Sequence, residues 1–456
     1  MPQEKKLTKR TAVLLSIAIA LIGLGIKPDI VVEAFRLMDP AAVEEYFDGG
    51  VVVEPADDLP SRYEEFVASR EVHLYADMSS QDIDAAMGED PTGVRAVVHG
   101  SIAPIYIGGG KPYSITGPDG TAAHDILFVG ADDTATIRGV KFGTSAGGVS
   151  GEIRFSGLTM TPSTDGDFAP LRTLDHMIDM HLILEDIRLE TFDDWKAFGG
   201  FGMKWGALIN GCKLTVIGLV ADPAREHTFY IKNCWDVWIQ DARNTTRMFT
   251  DAAGVERELG NGRTFEQHSN RVPNDFPKGG APSKGVFVFK NCVGVMCGWE
   301  GMLAWADAEG EVHAGGKAAG GSTFTVHGHT GSLVRYIDCE ALDPYCGGLA
   351  IWNEVGSNTK SNANVLGLRG WMFDLEGELF NPLESTELDG WCTDRIEVQG
   401  YRQNSVGSRT PLLLAGVREV SLVDLMIAGE PVADGSEHIK INHQKGVTPI
   451  ELMEIQ

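Results

Sequence analysis

The sequence predicts an all-β solenoid, a single chain of short parallel strands wound into stacked coils, and three observations carry that expectation. From about residue 100, runs of β-branched and apolar residues alternate with turn residues, as in DILFVGADDTATIRG, GEIRFSGLTM, HLILEDIRLE, CKLTVIGLV and SLVRYIDC. No amphipathic helical stretch of ordinary length separates these runs, which argues against a βαβ sheet or barrel. Finally, Phe-x-x-Lys-Asn-Cys is written twice, in FYIKNC at 229–234 and in FVFKNC at 287–292.

The spacing of the cysteines separates a solenoid from other all-β folds. Cys212 to Cys234 matches one coil of ~20 to 30 residues, while Cys292 to Cys339 and Cys339 to Cys392 match about two. A propeller would need a four-stranded motif at roughly 40 to 45 residues. On this reading the Phe-x-x-Lys-Asn-Cys echo marks equivalent positions of successive coils, and Cys234, Cys292 and Cys339 belong to one stacked interior row.

The elements follow in chain order. MPQEKKLTKR is basic, and TAVLLSIAIALIGLGI at 11–26 is a nearly uninterrupted apolar run. As a helix it would cover roughly 24 Å, short of the ~30 Å hydrocarbon core of a bilayer. The run fits a secretory signal, a short membrane anchor or a segment buried in a larger assembly, and since no small-residue pair at signal-cleavage spacing follows in LGIKPD, a retained segment is favoured. In DPAAVEEYFDGG, Asp39 caps, Pro40 suits the first turn and Gly49 ends a short helix. The expected organisation is therefore a helical and apolar anchor over 1–50 and a mixed connector or cap over 51–100. The solenoid then covers 101–445, with a long polar insertion at 243–285, and a tail covers 446–456.

Composition narrows the partners. With 456 residues, 43% hydrophobic content and 55 glycines, the chain has the core of a globular protein and the turn residues of a coil-rich one. Its 38 basic and 64 acidic residues give a net charge of -26, which excludes nucleic acid as a partner on electrostatic grounds. The 7 cysteines include no C-x-x-C pair, so neither a disulfide framework nor a structural zinc is indicated. Small buried thiols are expected instead.

PIYIGGGKPYSITGPDG followed by DILFVGADDTATIRG looks like a capping first coil, and with the repetition it makes the chain resemble the right-handed parallel β-helix proteins. That group includes pectate lyases, polysaccharide hydrolases and bacteriophage tailspikes, and the resemblance covers roughly 100–445. It implies a right-handed, single-stranded parallel β-helix behind the short helical or mixed anchor region. The catalytic signatures of the enzyme members are absent. DVWIQDA resembles the Trp-Ile-Asp-His strand of pectate lyases, but Ala242 stands where histidine belongs. The ordered motifs of polygalacturonases are missing, and His327 and His329 have no identifiable third ligand, so no metal and no cofactor is expected.

Parity within strands selects the candidate site. With Val237 and Ile239 inward, Asp236, Trp238 and Gln240 face outward, and the echo sends Gly294, Met296, Gly298 and Glu300 the same way. An indole flanked by carboxylates and amides suits sugars, whose C–H faces stack on aromatic rings while their hydroxyls are hydrogen-bonded. Candidate carbohydrate contacts are Trp238, Gln240, Trp299, Trp305 and Trp352. Candidate glycosidase carboxylates are Asp236, Asp241, Glu300, Asp307 and Glu309. The resemblance to tailspikes implies a virion host-recognition protein, a homotrimer attached to other virion proteins through residues 1–50 and binding a surface polysaccharide. The alternative is a secreted or envelope-attached polysaccharide hydrolase or lyase, for which the apolar run would be an export signal.

Overall fold

A computed structural model describes residues 66–442 and 451–455, apart from short stretches and the longer ones at 192–202, 269–284, 298–303, 307–311, 315–321, 353–371 and 381–392. The compact unit that contains these residues runs from Phe66 to Gln456. Its strands fall into a 21-stranded sheet, called here the long sheet, and a 10-stranded second sheet. Strands of successive coils pair in parallel: Ile126–Gly130 lies beside Gly151–Met160, then come Met180–Leu189, Lys213–Ile217, Val237–Gln240, Gly285–Lys290, Ser332–Ile337 and Thr393–Gln399. The chain is a parallel β-helix. Among the described residues the one α-helix, Ser80–Met87, begins with a capping box between Ser79 and Asp82 and buries Ile83 and Met87.

Stacking of like on like builds the core. In the long sheet, Phe155, Leu184, Val216, Ile239, Phe289 and Tyr336 occupy one register column, each at most 1% exposed. In the second sheet Phe229, Phe265 and Phe324 form another, with ring centroids 5.5 Å and 5.2 Å apart and planes within 12° and 4°. The two columns meet edge to face where Phe265 lies 6.0 Å from Phe289 and Phe324 lies 5.4 Å from Tyr336. Aromatic rings pack in both arrangements, so one residue type serves along a sheet and between sheets.

Each coil turns out of the long sheet at a left-handed residue. Gly218, Asp241, Asn291, Asp338, Gly400 and Asp424 follow successive strands, and Asp186 bends the long strand Met180–Leu189 at the equivalent place, all with φ between 49° and 68°. Their amides continue the ladder, as in Asn291 N to Ile337 O at 2.9 Å and Asp338 N to Gln399 O at 2.9 Å. Asp, Asn and Gly are the residues that tolerate this backbone region.

Five expectations change. FYIKNC and FVFKNC are not equivalent, because His227–Lys232 belongs to the second sheet and Gly285–Lys290 to the long sheet. Both sheets bury alternate residues and end at polar corners, so six letters cannot distinguish them. The true counterpart of FVFKNC is VWIQDA, which pairs Ile239 with Phe289. Consequently Cys292 hydrogen-bonds Cys339 whereas Cys234 partners Cys212, two separate stacks in place of one row. Six cysteines, from Cys212 to Cys346, are free and buried; Cys392 lies outside the described residues.

Cys292 and Cys339 also sit in adjacent coils, since Glu340 N donates to Cys292 O at 2.8 Å; the interval is one turn enlarged by an excursion that carries the hairpin Ala304–Ala306 with Val312–Ala314. The polar stretch 243–285 is not a single insertion. It holds a hairpin, Arg247–Thr250 with Glu256–Leu259, and then Arg263–His268, an interior strand of the second sheet. Finally, the ladder reaches back past residue 101, for Arg70–Tyr75 pairs with Val94–His99, and that strand pairs with Ile126–Gly130.

Candidate functional site on the outward face of the long sheet

Val237 and Ile239 point into the solenoid, 1% and 0% exposed, so Asp236, Trp238 and Gln240 face outward as their parity requires. Asp236 enters the strand with φ 50°, and its carboxylate lies 3.2 Å from Lys213 Nζ of the preceding coil. Trp238 stands in register between Thr215 and Val288. At 9% exposure it is a packed indole and not an open stacking platform, and its register neighbour Val288 is itself only 2% exposed. Its Nε1–H donates to Gln240 Oε1 at 3.3 Å, Gln240 Nε2 donates to Asp241 Oδ2 at 2.9 Å, and Asn291 Nδ2 donates to Asp241 Oδ1 at 3.0 Å. Four side chains on two coils are thereby joined in one hydrogen-bonded line.

Residues that carry no motif extend this face in both directions. His181 Nε2 lies 2.9 Å from Thr215 Oγ1, directly beside Trp238 in register. Arg154 donates from Nη2 to Glu152 Oε1 at 2.9 Å, and its Nη1 is 4.0 Å from Glu185 Oε2. Burial pushes the Glu185 carboxyl above the ordinary carboxylate range, and Arg154 only partly offsets it. Farther along, Glu397 accepts from Arg335 Nε at 2.6 Å and lies 2.9 Å from Arg395 Nε, one carboxylate ion-paired with two guanidinium groups. The signal for these residues was present in HLILEDIRLE and RIEVQ, where charged or polar residues alternate with buried ones, but alternation alone does not say which solvent-facing charges converge.

The other candidates lie outside the described residues or in other elements. Glu300, Asp307, Glu309 and Trp299 lie outside the described residues, as does Gly298. Trp305 is in the hairpin opposite His313, and Trp352 ends a strand of the second sheet opposite His327. Gly294 faces the interior, where a methyl group would fall 2.0 Å from Thr323 Cγ2. Gly294 thus leaves the outward strip expected from the echo, because the two echoed strands belong to different sheets. A second polar cluster forms off this face, where Asp222 accepts from Thr191 N at 3.2 Å and lies 3.7 Å from Arg188 and 4.0 Å from Arg247; burial raises its carboxyl as well.

No protein-family model matches the chain, and no curated protein matches it in sequence. Among solved structures it is similar to the A-module of the mannuronan C-5 epimerase AlgE4 of Azotobacter vinelandii, with 10% identity and a TM-score of 0.34, over 84% of this chain and 89% of that one. At that TM-score the likeness carries no argument, and the β-helix rests on the register of its own ladders.

Proposed function

We propose that this β-helix binds an extended polysaccharide along the outward face of the long sheet, and that it does so as a virion host-recognition protein of the tailspike or head-fibre type. The observation that carries the binding reading is the hydrogen-bonded line Trp238, Gln240, Asp241 and Asn291 beside the Lys213–Asp236 pair. Its amides, carboxylates and ammonium repeat at the ~4.8 Å spacing of adjacent strands, a rigid array of donors and acceptors for the hydroxyls of successive sugars. Because the backbone ladder holds these groups in place, little side-chain ordering is needed on binding.

The virion setting draws support from the six free, buried thiols, which fit a chain that folds in a reducing cytosol before assembly. In this reading the protein is a homotrimer attached to other virion components through residues 1–50. A panel of host surface polysaccharides tested against Gln240→Ala/Asp241→Ala and against Lys213→Ala should give at least a tenfold loss of affinity for the glycan that the intact protein binds. Unchanged binding by both variants, with circular dichroism intact, removes this face as the site.

One observation favours the second reading, a polysaccharide hydrolase. A carboxyl raised by burial beside a guanidinium has the character of a general acid, and Glu185 meets that description. The same panel decides between the readings: release of reducing ends that disappears in Glu185→Gln, with binding retained, identifies an enzyme.

A further inference from the structure

The two sheets differ in charge. Acids and bases are equally numerous in the described strands of the long sheet, whereas those of the second sheet hold Lys141, Arg172, Lys232, Arg263 and Lys440 against a single acid, Glu266. On a chain with a net charge of -26, the second sheet is a basic element in an acidic molecule. Register gathers part of that charge on its outward face. Tyr106, Lys141, Arg172, Leu208 and Tyr230 occupy one column on successive strands, and their strand neighbours Phe142, Leu171, Ile209 and Phe229 are buried in the interior. A second column, Trp205, His227 and Arg263, starts the strands beside it. Tyr230 stacks on His227 with centroids 4.6 Å apart and planes within 14°. At the sheltered end, Lys111 and Lys141 each set an ammonium 5.6 Å from the centre of the Tyr106 ring, with Tyr113 edge-on at 5.4 Å. Tyr106 and Lys141 are 8% and 9% exposed, Arg172, Tyr230, Trp205, His227 and Arg263 are half-buried, and the column closes again at the buried Thr325 and Ala350.

From this partition we infer that the outward face of the second sheet binds an acidic polysaccharide, one whose sugars carry uronate carboxylates, at a site separate from the strip around Trp238. A guanidinium pairs with a carboxylate through two parallel N–H donors, and Arg172 and Arg263 supply that fork. Lys141 adds a point charge held over an aromatic ring. The C–H faces of the sugars stack on Trp205 and Tyr230. Adjacent parallel strands lie about 4.8 Å apart, so cations and rings recur at short, regular intervals along the column, as an extended chain of sugars requires. At physiological ionic strength charges beyond about 8 Å are screened, so the local excess of cations selects the ligand and the distant acids do not. Leu208 and the rings interrupt the positive row. That row is too sparse for duplex nucleic acid, whose phosphates recur every ~1.7 Å along the axis.

Calorimetric titration of the full chain with polygalacturonate, and with dextran and dextran sulfate beside it, tests the assignment. The intact chain should bind polygalacturonate, bind dextran sulfate less tightly and leave dextran unbound. Arg172→Gln and Arg263→Gln should each weaken polygalacturonate binding about tenfold, the worth of one charged hydrogen-bonded contact. Arg402→Gln removes the same charge from the long sheet, where Arg402 pairs with Asp424 at 2.6 Å, and should leave the affinity unchanged. An intact chain that does not bind polygalacturonate, or binding that both glutamine variants of the second sheet retain in full, overturns the site. Equal affinity for dextran sulfate overturns the carboxylate class. A loss in Gln240→Ala/Asp241→Ala with none in Arg172→Gln assigns the acidic glycan to the long sheet and overturns the second face. Should a glutamine variant unfold, Arg172→Lys decides, because it keeps the charge and removes the fork: binding should weaken roughly threefold, and unchanged affinity counts against the site.

Discussion

At the scale of single residues, the corner of each coil is the most informative feature of the chain. The corners of the long sheet read EDI, IGL, QDA, KNC, IDC, QGY and VDL, and the central residue of each triplet has positive φ. Where the corner is Gly400, an added methyl group would come within 2.1 Å of Asp338 Oδ1 in the coil before it. Gly400→Ala should therefore destabilise by about 1–2 kcal/mol for the left-handed backbone alone, with the clash added to that. Asp338→Gly in the same chain should recover the clash and leave the backbone cost. Chemical denaturation of the single and double variants measures both, and equal stability of the two would mean that the corners do not stack as described. The glycines at 218 and 400 were visible in the sequence; that they must be small because an aspartate lies beneath them was not.

Elements follow a simpler rule, in which each strand buries every second residue on its counterpart one coil away. That rule was legible, and it correctly turned Val237 and Ile239 inward. It could not tell which of the two sheets a strand enters, so the aromatic strand 227–232 was matched to the wrong partner. The stacks themselves make a test at this scale. Phe265 lies between Phe229 and Phe324 in one column and also meets Phe289 edge to face. Phe265→Ala should cost about 3–5 kcal/mol, and Phe265→Leu should cost appreciably less because it keeps most of the volume. If Phe265→Ala unfolds at the wild-type denaturant midpoint, the residue is not in the core. The strand Arg263–His268 went unrecognised because its neighbours are polar and its own sequence, RTFEQH, has a single aromatic anchor.

Across the whole molecule, the parallel ladder acts as a ruler on which distant charges are set side by side. Arg154, Glu185, Lys213, Asp236, Arg335 and Glu397 come from six different coil turns and share one face, which explains why spacing in the sequence gave no sign of them. The chain as a whole carries a net charge of -26, and such an excess strains any compact state by self-repulsion. Raising ionic strength from roughly 0.01 M to 0.15 M, which cuts the screening length from about 30 Å to about 8 Å, should raise the thermal midpoint. A midpoint that falls instead would show that the ion pairs of the outward face outweigh the net repulsion.

By itself the sequence determined the class of fold, the inward and outward parity of its strands, the buried thiols and the acidity that disfavours nucleic acid. These are properties of local pattern and of totals, and both survive without knowing which coil lies above which. Tertiary structure alone decided the register: which cysteines pair, which sheet holds each aromatic strand, that Trp238 is packed instead of open, and that Lys141 stands beside Arg172. The physical reason is that a parallel ladder joins residues separated by a full coil of variable length. Coil length depends on the excursions between strands, and those carry no pattern of their own.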